Sequence, residues 1–223
     1  MTVLDLVFDL DGTLIDSAPG ILVSMQAALE QSGIVPKVPL TSALIGPPLI
    51  QALQVLAPDA SEQTLARLAE DFKRHYDGSC HHEILVYPGI AEALHHLSAM
   101  PVRMHLATNK RLTPTLRIME HLGWGRFFSG IYTLDSFSPP LQHKAAMLER
   151  IRQILQTPDR HIVYVGDREE DAEASRVNAM PFLWASWGYG NATESIPPQS
   201  VLRIPQSLLQ IVQAATTDFG ADQ

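Results

Sequence analysis

Cysteine is nearly absent: Cys80 is the only one in 223 residues. A lone thiol can form neither an internal disulfide nor a thiolate metal cluster, which points to a reducing cytoplasm. Long apolar runs are also missing, and none approaches the roughly 18 residues that span a bilayer. No basic segment precedes the first apolar stretch, so the sequence predicts no secretory signal. Nor is there an excess of positive charge. Sixteen Lys and Arg face 24 Asp and Glu, a formal net charge of −8. A nucleic-acid partner held through its phosphates needs a basic footprint, and the sequence shows none. A small phosphorylated metabolite needs only a local positive site.

What is present describes a globular protein. Hydrophobic residues make up 46% of the chain, and its length allows one sizeable core plus a smaller second domain. Val3–Phe8 reads as a buried strand. Helices are predicted over Ile21–Gln31, Leu49–Leu56 and Glu62–Tyr76, the last from apolar residues at Leu65, Leu68, Ala69 and Phe72. Tyr87-Pro88-Gly89 reads as a turn before a helix over Ile90–Leu97. Beyond it strands and helices alternate: strands at Val102–Ala107, Ile131–Leu134, Ile162–Val165 and Phe182–Ala185, helices at Pro114–Leu122, Lys144–Leu155, Glu170–Asn178 and Ser207–Ala214. That rhythm predicts an α/β fold with a Rossmann-like parallel sheet and helices on both faces. The first strand belongs to it by pattern. The expected division is a core of residues 1–16 and 88–223, with a helix-only insert over 17–87 long enough to serve as a cap.

The strand ends carry the chemistry. The first runs into Asp9-Leu10-Asp11-Gly12-Thr13. Asp-x-Asp-Gly is also an ordinary turn sequence. An EF-hand is excluded, because its loop requires a third ligand where Thr13 stands and a Glu where Gly20 stands. Two carboxylates that close raise each other's pKa unless a cation lies between them. Thr108-Asn109-Lys110 follows a second strand, Lys144 opens a helix, and Gly166-Asp167 with Asp171 follows a third strand. Parallel strands bring their carboxyl ends to one edge of the sheet, where ligands of open α/β sheets bind.

Asp9-Leu10-Asp11-Gly12-Thr13-Leu14, Thr108-Asn109, Lys144 and Gly166-Asp167 with Asp171 resemble, in order and spacing, the four motifs of the haloacid dehalogenase superfamily. Asp16-Ser17, Ile45-Gly46-Pro47-Pro48-Leu49, Tyr87-Pro88-Gly89 and Gly188-Tyr189-Gly190 resemble its phosphoglycolate-phosphatase-like branch, which has a helical cap. The resemblance implies a Mg²⁺-dependent phosphatase of a small phosphomonoester, phosphoglycolate being the first expected substrate and a nucleoside monophosphate the next. Asp9 would be the nucleophile that forms an aspartyl-phosphate, Asp11 the general acid and base, and Lys144 the balancing cation. Gly12, Thr108, Asn109 and Lys144 would bind the phosphoryl group. Asp9, the Asp11 carbonyl and Asp167 would hold the metal, with Asp171 either a further ligand or the group that orients one. Asp11 separates phosphate chemistry from dehalogenation, because a halide needs no acid.

The third motif departs from the Lys-Pro-x-Pro of many relatives, reading Lys144-Ala145-Ala146-Met147. The run Gly166-Asp167-Arg168-Glu169-Glu170-Asp171 looks closer to nucleotidase-like members. The alternatives are therefore a 5′-nucleotidase-like phosphatase, a phosphomutase, and a non-catalytic binder of phosphate esters. Arg168 reads as a structural ion pair ahead of a substrate contact, and Arg74 and Tyr76 as a helix face or a substrate contact. His81, His82, His95 and His96 read as surface, and Trp184 and Trp187 as core and rim packing.

Overall fold

The computed structural model describes residues 4–79, 82–156 and 161–221. Cys80, His81 and the predicted strand start at Val3 lie outside the described residues. At the centre is β1 (Leu4–Phe8), an unbroken buried run. It pairs in parallel with β4 (Val102–Thr108) on one side and β6 (Ile162–Gly166) on the other. β5 (Phe128–Thr133) extends the first side; β7 (Phe182–Ala185) and β8 (Val201–Leu202) extend the second. All five pairings are parallel.

Alternation along β1 decides what each face packs against. Leu4, Leu6 and Phe8 join the cluster containing Ile90 and Leu94 of α4 (Ile90–Leu97), Ile118 of α5 (Leu112–His121) and Leu208 of α8 (Ser207–Ala221). Val7 packs on the other face with Met147 and Ile151 of α6 (Lys144–Leu155) and Ala174 of α7 (Glu169–Val177). The sheet is thus covered on both faces, as the sequence rhythm predicted. Chain order runs outward from β1 in both directions, so the carboxyl end of β1 is the switch point where such sheets bind ligands.

The insert leaves and re-enters the core through a small ribbon. β2 (Ile15–Asp16) pairs antiparallel with β3 (Leu85–Val86), so the expectation of a helix-only segment up to Tyr87 is corrected. Between them lie α1 (Ala18–Gln31), α2 (Leu49–Leu56) and α3 (Glu62–Ser79). Helix α1 begins before the predicted Ile21, because Pro19 sits in its first turn, where a missing N–H costs nothing. Helix α3 outruns its predicted end at Tyr76. Its last turn is held by tertiary contacts, with Asp77 gripped by Arg111 and Arg117. β5 starts earlier than the apolar run suggested, since pairing with the buried β4 overrides the weak strand preference of Gly130. Among the described residues no helix is long and apolar enough to cross a membrane.

Candidate active site

Strand β1 delivers Asp9 to the sheet's carboxyl edge, where its amide donates to Val165 O at 2.9 Å. The chain then turns tightly: Leu14 N–H and Ile15 N–H both return to Leu10 O, which brings Asp11 back beside Asp9. β6 ends in Asp167, α7 carries Asp171, and α6 begins at Lys144. All five of these side chains are buried.

Lys144 is the electrostatic centre. Its Nζ lies 3.1 Å from Asp9 Oδ1 and 2.5 Å from Asp171 Oδ1. Burial alone would lower its pKa, but Asp171 and Asp9 raise it well above the usual value, so it is a fixed cation. Asp171 is fully engaged: Oδ1 also accepts from the Tyr164 hydroxyl at 3.3 Å, and Oδ2 accepts from the backbone N–H groups of Asp167 and Arg168 at 3.1 and 3.0 Å. Asp167 is held by neutral donors, the Thr13 hydroxyl at 3.2 Å and the Tyr189 amide at 2.7 Å. Asp9 is the opposite case. Its Oδ1 is buried and accepts no hydrogen bond, although the Lys144 ammonium is close.

Charge in this site does not balance. Burial raises the pKa of Asp9 well above the carboxylate range; Lys144 opposes this, and Asp171, Asp167 and Asp11 push it further up. Burial and the neighbouring Asp171 likewise push Asp167 up to about 6. Oxygens of Asp9, Asp167 and Asp171 lie within 4.8 Å of one another. A hard divalent cation fits this all-oxygen set and would relieve the repulsion.

Two glycines make the crowding possible. Gly12 has φ +89°, and a Cβ there would stand 2.3 Å from Asp167 Oδ2. A Cβ on Gly188 would stand 2.3 Å from both Asp167 Cβ and Gly12 O. The Gly12 amide, expected to hold phosphoryl oxygens, donates to Ile15 O at 2.8 Å. Gly12 also contributes clearance, and its N–H takes part in the turn that places Asp11.

The other strand-end residues converge as expected. Buried Thr108 lines a cavity of about 220 Å³ together with Asp9, Asp11 and Asn109. The Asn109 side chain bridges the insert and α7, donating to Gly46 O at 2.9 Å and Glu170 Oε1 at 3.1 Å. Arg168 also reaches the insert: it donates to Ser42 O and lies 5.5 Å from the centroid of the Tyr189 ring. Its role as a tie between the two parts differs from the ion pair expected of it. Arg74 pairs with Asp71 on its own helix. His82, His95 and His96 are exposed. Trp184 is buried, and the Trp187 indole N–H caps Thr13 O at 2.9 Å.

Sequence reasoning missed the surroundings of Asp11. Lys110 Nζ lies 3.0 Å from Asp11 Oδ1 and donates to the Tyr76 hydroxyl at 2.8 Å. Ser17 Oγ donates to the same Asp11 oxygen. Burial opposes the charge on Lys110, but Asp11 and Tyr76 raise its pKa overall. Lys110 follows Thr108-Asn109 directly, and that adjacency was the available signal. Its pairing with Tyr76 of α3 had none.

The sequence model of the haloacid dehalogenase-like hydrolases matches residues 6–185. The chain is 32% identical to a phosphoglycolate phosphatase of Rhodobacter capsulatus over 193 residues, covering 82% of this chain and 84% of that one. It is 31% identical over 189 residues to the tyrosine-protein kinase PtkA of Mycobacterium tuberculosis, spanning 83% of this chain and 63% of the kinase. A predicted phosphatase from Clostridium acetobutylicum shares the fold with a TM-score of 0.82 at 24% identity, over 96% of this chain and all of that one. With the four motifs gathered at one sheet edge and the family matched across most of its length, the chain belongs to the haloacid dehalogenase-like hydrolases.

Proposed function

We propose that the chain is a Mg²⁺-dependent phosphatase that hydrolyses a small phosphomonoester through an aspartyl-phosphate on Asp9. One observation carries this reading: Asp9 Oδ1 is buried without a hydrogen bond, beside a fixed ammonium, at the floor of a cavity. A structural carboxylate in that position would be satisfied. A nucleophile must keep a lone pair free.

Asp9 attacks phosphorus in line, and Lys144 offsets charge on both the carboxylate and the transferring group. The Thr108 hydroxyl donates to a phosphoryl oxygen. Asp11, reached by Ser17 and Lys110, protonates the departing oxygen and later takes a proton from the attacking water. Asp9, the Asp11 carbonyl and Asp167 are the residues that would hold Mg²⁺. When bound, the ion supplies the positive charge that lets an anionic nucleophile approach an anionic ester. Asp171, whose two oxygens are already taken, holds Lys144 and the Asp167–Arg168 backbone in place. Residues 17–87 act as the cap over a core of 1–16 and 88–223. Closure excludes water during the first step and admits it for the second.

The test is phosphate release from a panel of small phosphate esters, phosphoglycolate included, with and without Mg²⁺. Metal-dependent release with a short-lived phosphoenzyme is expected. A long-lived phosphoenzyme that returns its group to product would make the protein a mutase. Tight ester binding without turnover across the panel would make it a binder.

A further inference from the structure

The cavity has two unlike ends. Its floor is the polar set Asp9, Asp11 and Thr108; its other wall comes from the insert and is apolar: Ile21, Met25, Leu44, Ile45, Leu49 and Phe72. Pro47 and Pro48 complete that wall and bring no N–H groups. Two cations stand at the boundary, and both are committed. Lys110 is held by Asp11 and the Tyr76 hydroxyl. Arg111 grips Asp77 of α3 through both terminal nitrogens. The remaining charge in the lining is Asp135, which would repel an anion. It is fixed there by the Thr133 hydroxyl at 2.6 Å and the Leu112 amide at 3.0 Å.

From this we infer that the leaving group is small, uncharged and apolar: a short or branched alkyl chain, or a single aromatic ring. This rests on the phosphatase reading and specifies its substrate class. The volume of about 220 Å³ must also hold the phosphoryl group. It is below the roughly 300–1,000 Å³ of sites for drug-sized ligands, which suits a leaving group smaller than a nucleoside. A carboxylate on the leaving group would lose its water against the apolar wall and gain no cation in return. A methylene placed there gains the usual transfer energy, about fourfold in affinity if fully buried.

Matched isosteres test this. Isobutyl phosphate replaces the carboxylate of phosphoglycolate with an isopropyl group, a methyl standing in for each oxygen. We expect kcat/KM for isobutyl phosphate to exceed that for phosphoglycolate by roughly tenfold or more. Equal or better turnover of phosphoglycolate would overturn the inference. A non-hydrolysable pair matched to each other, though one bridging atom shorter than the esters, is isobutylphosphonate and phosphonoacetate; measured by calorimetry with the unaltered protein, it separates the two readings. A preference for isobutylphosphonate without turnover of any ester would sink the phosphatase and keep the apolar pocket. A preference for phosphonoacetate would mean that the first-turn amides of α2 serve the carboxylate, and would overturn the pocket assignment. Leu49→Arg places a cation in the wall and should narrow or reverse the isobutyl preference. An unchanged ratio in the folded variant would count against a leaving group seated on that wall.

Discussion

Asp5 and Asp9 belong to one short stretch of chain, and both are buried, yet their surroundings differ completely. Asp5 points from the middle of β1 into a closed set of partners. Arg103 grips it with two bonds of 2.7 Å, and His105 Nε2 lies 2.9 Å away. Asp9, at the end of the same run, has an oxygen that accepts no hydrogen bond, one ammonium beside it and three other carboxylates for neighbours. Buried charges are tolerated when paired and expensive when not. A fold that satisfies one aspartate and leaves the next exposed to repulsion has spent stability at the second. The same strand thus separates a charge that holds the sheet together from one kept ready for chemistry.

Substituting each aspartate in turn breaks the comparison most directly. Asp9→Asn removes the nucleophile, and turnover should fall by at least about 10⁴-fold. The metal-free melting temperature should hold or rise, because one of four crowded anions is gone. Steady-state phosphate release and calorimetry check both halves; wild-type turnover would end the proposed role of Asp9.

Asp5→Asn should do the reverse. The amide presents an NH₂ where the guanidinium also donates, so one of the two arginine bonds is lost and a donor faces a donor. The cost should be about 3 kcal/mol, at the low end for a broken buried pair because Arg103 keeps contact with solvent. Denaturant unfolding measures it. Turnover by the folded fraction should stay within about twofold of wild type, since Arg103 and His105, which grip Asp5, are not among the site residues.

These two aspartates also mark what a sequence makes legible. The strand–helix rhythm and the residues at the strand ends were readable because each signal is local: an apolar run, then a carboxylate, a hydroxyl or a lysine. Lys144, Asp167 and Asp171 meet Asp9 because parallel strands share an edge, and the rhythm alone implies that edge. The Asp5 cluster could not be read. Arg103 and His105 share a face of β4 by alternation, but their pairing with β1 depends on register, which no local pattern encodes. The Lys110–Tyr76 contact joins the core to the insert and depends on how α3 leans over the site. The hydrogen bond of the Gly12 amide was not readable for a similar reason. Its partner, Ile15 O, is set by the closure of a loop whose composition fits either use.

The metal sharpens the contrast further, with a smaller effect. Asp167 is pushed up to about 6 in the folded protein, against about 3.8 for an ordinary aspartate. Between those values the native state keeps a proton that the unfolded chain has released. The native state then binds more protons, so stability falls as pH rises through this window, and the penalty is complete above it. Asp9 is shifted in the same direction and adds to the trend. Mg²⁺ binds the deprotonated cluster and replaces the missing charge, so its stabilisation should grow over the same range. Thermal unfolding at about pH 5 and about pH 7.5 should give a Mg²⁺-induced rise of several degrees at the higher pH and little at the lower. Asp167→Asn should flatten both the metal-free trend and the metal response, while Asp5→Asn should lower every melting temperature and leave the pH-dependent metal increment intact. If Asp5→Asn abolished that increment instead, the two aspartates would form one electrostatic unit, and the separation drawn between them would fail.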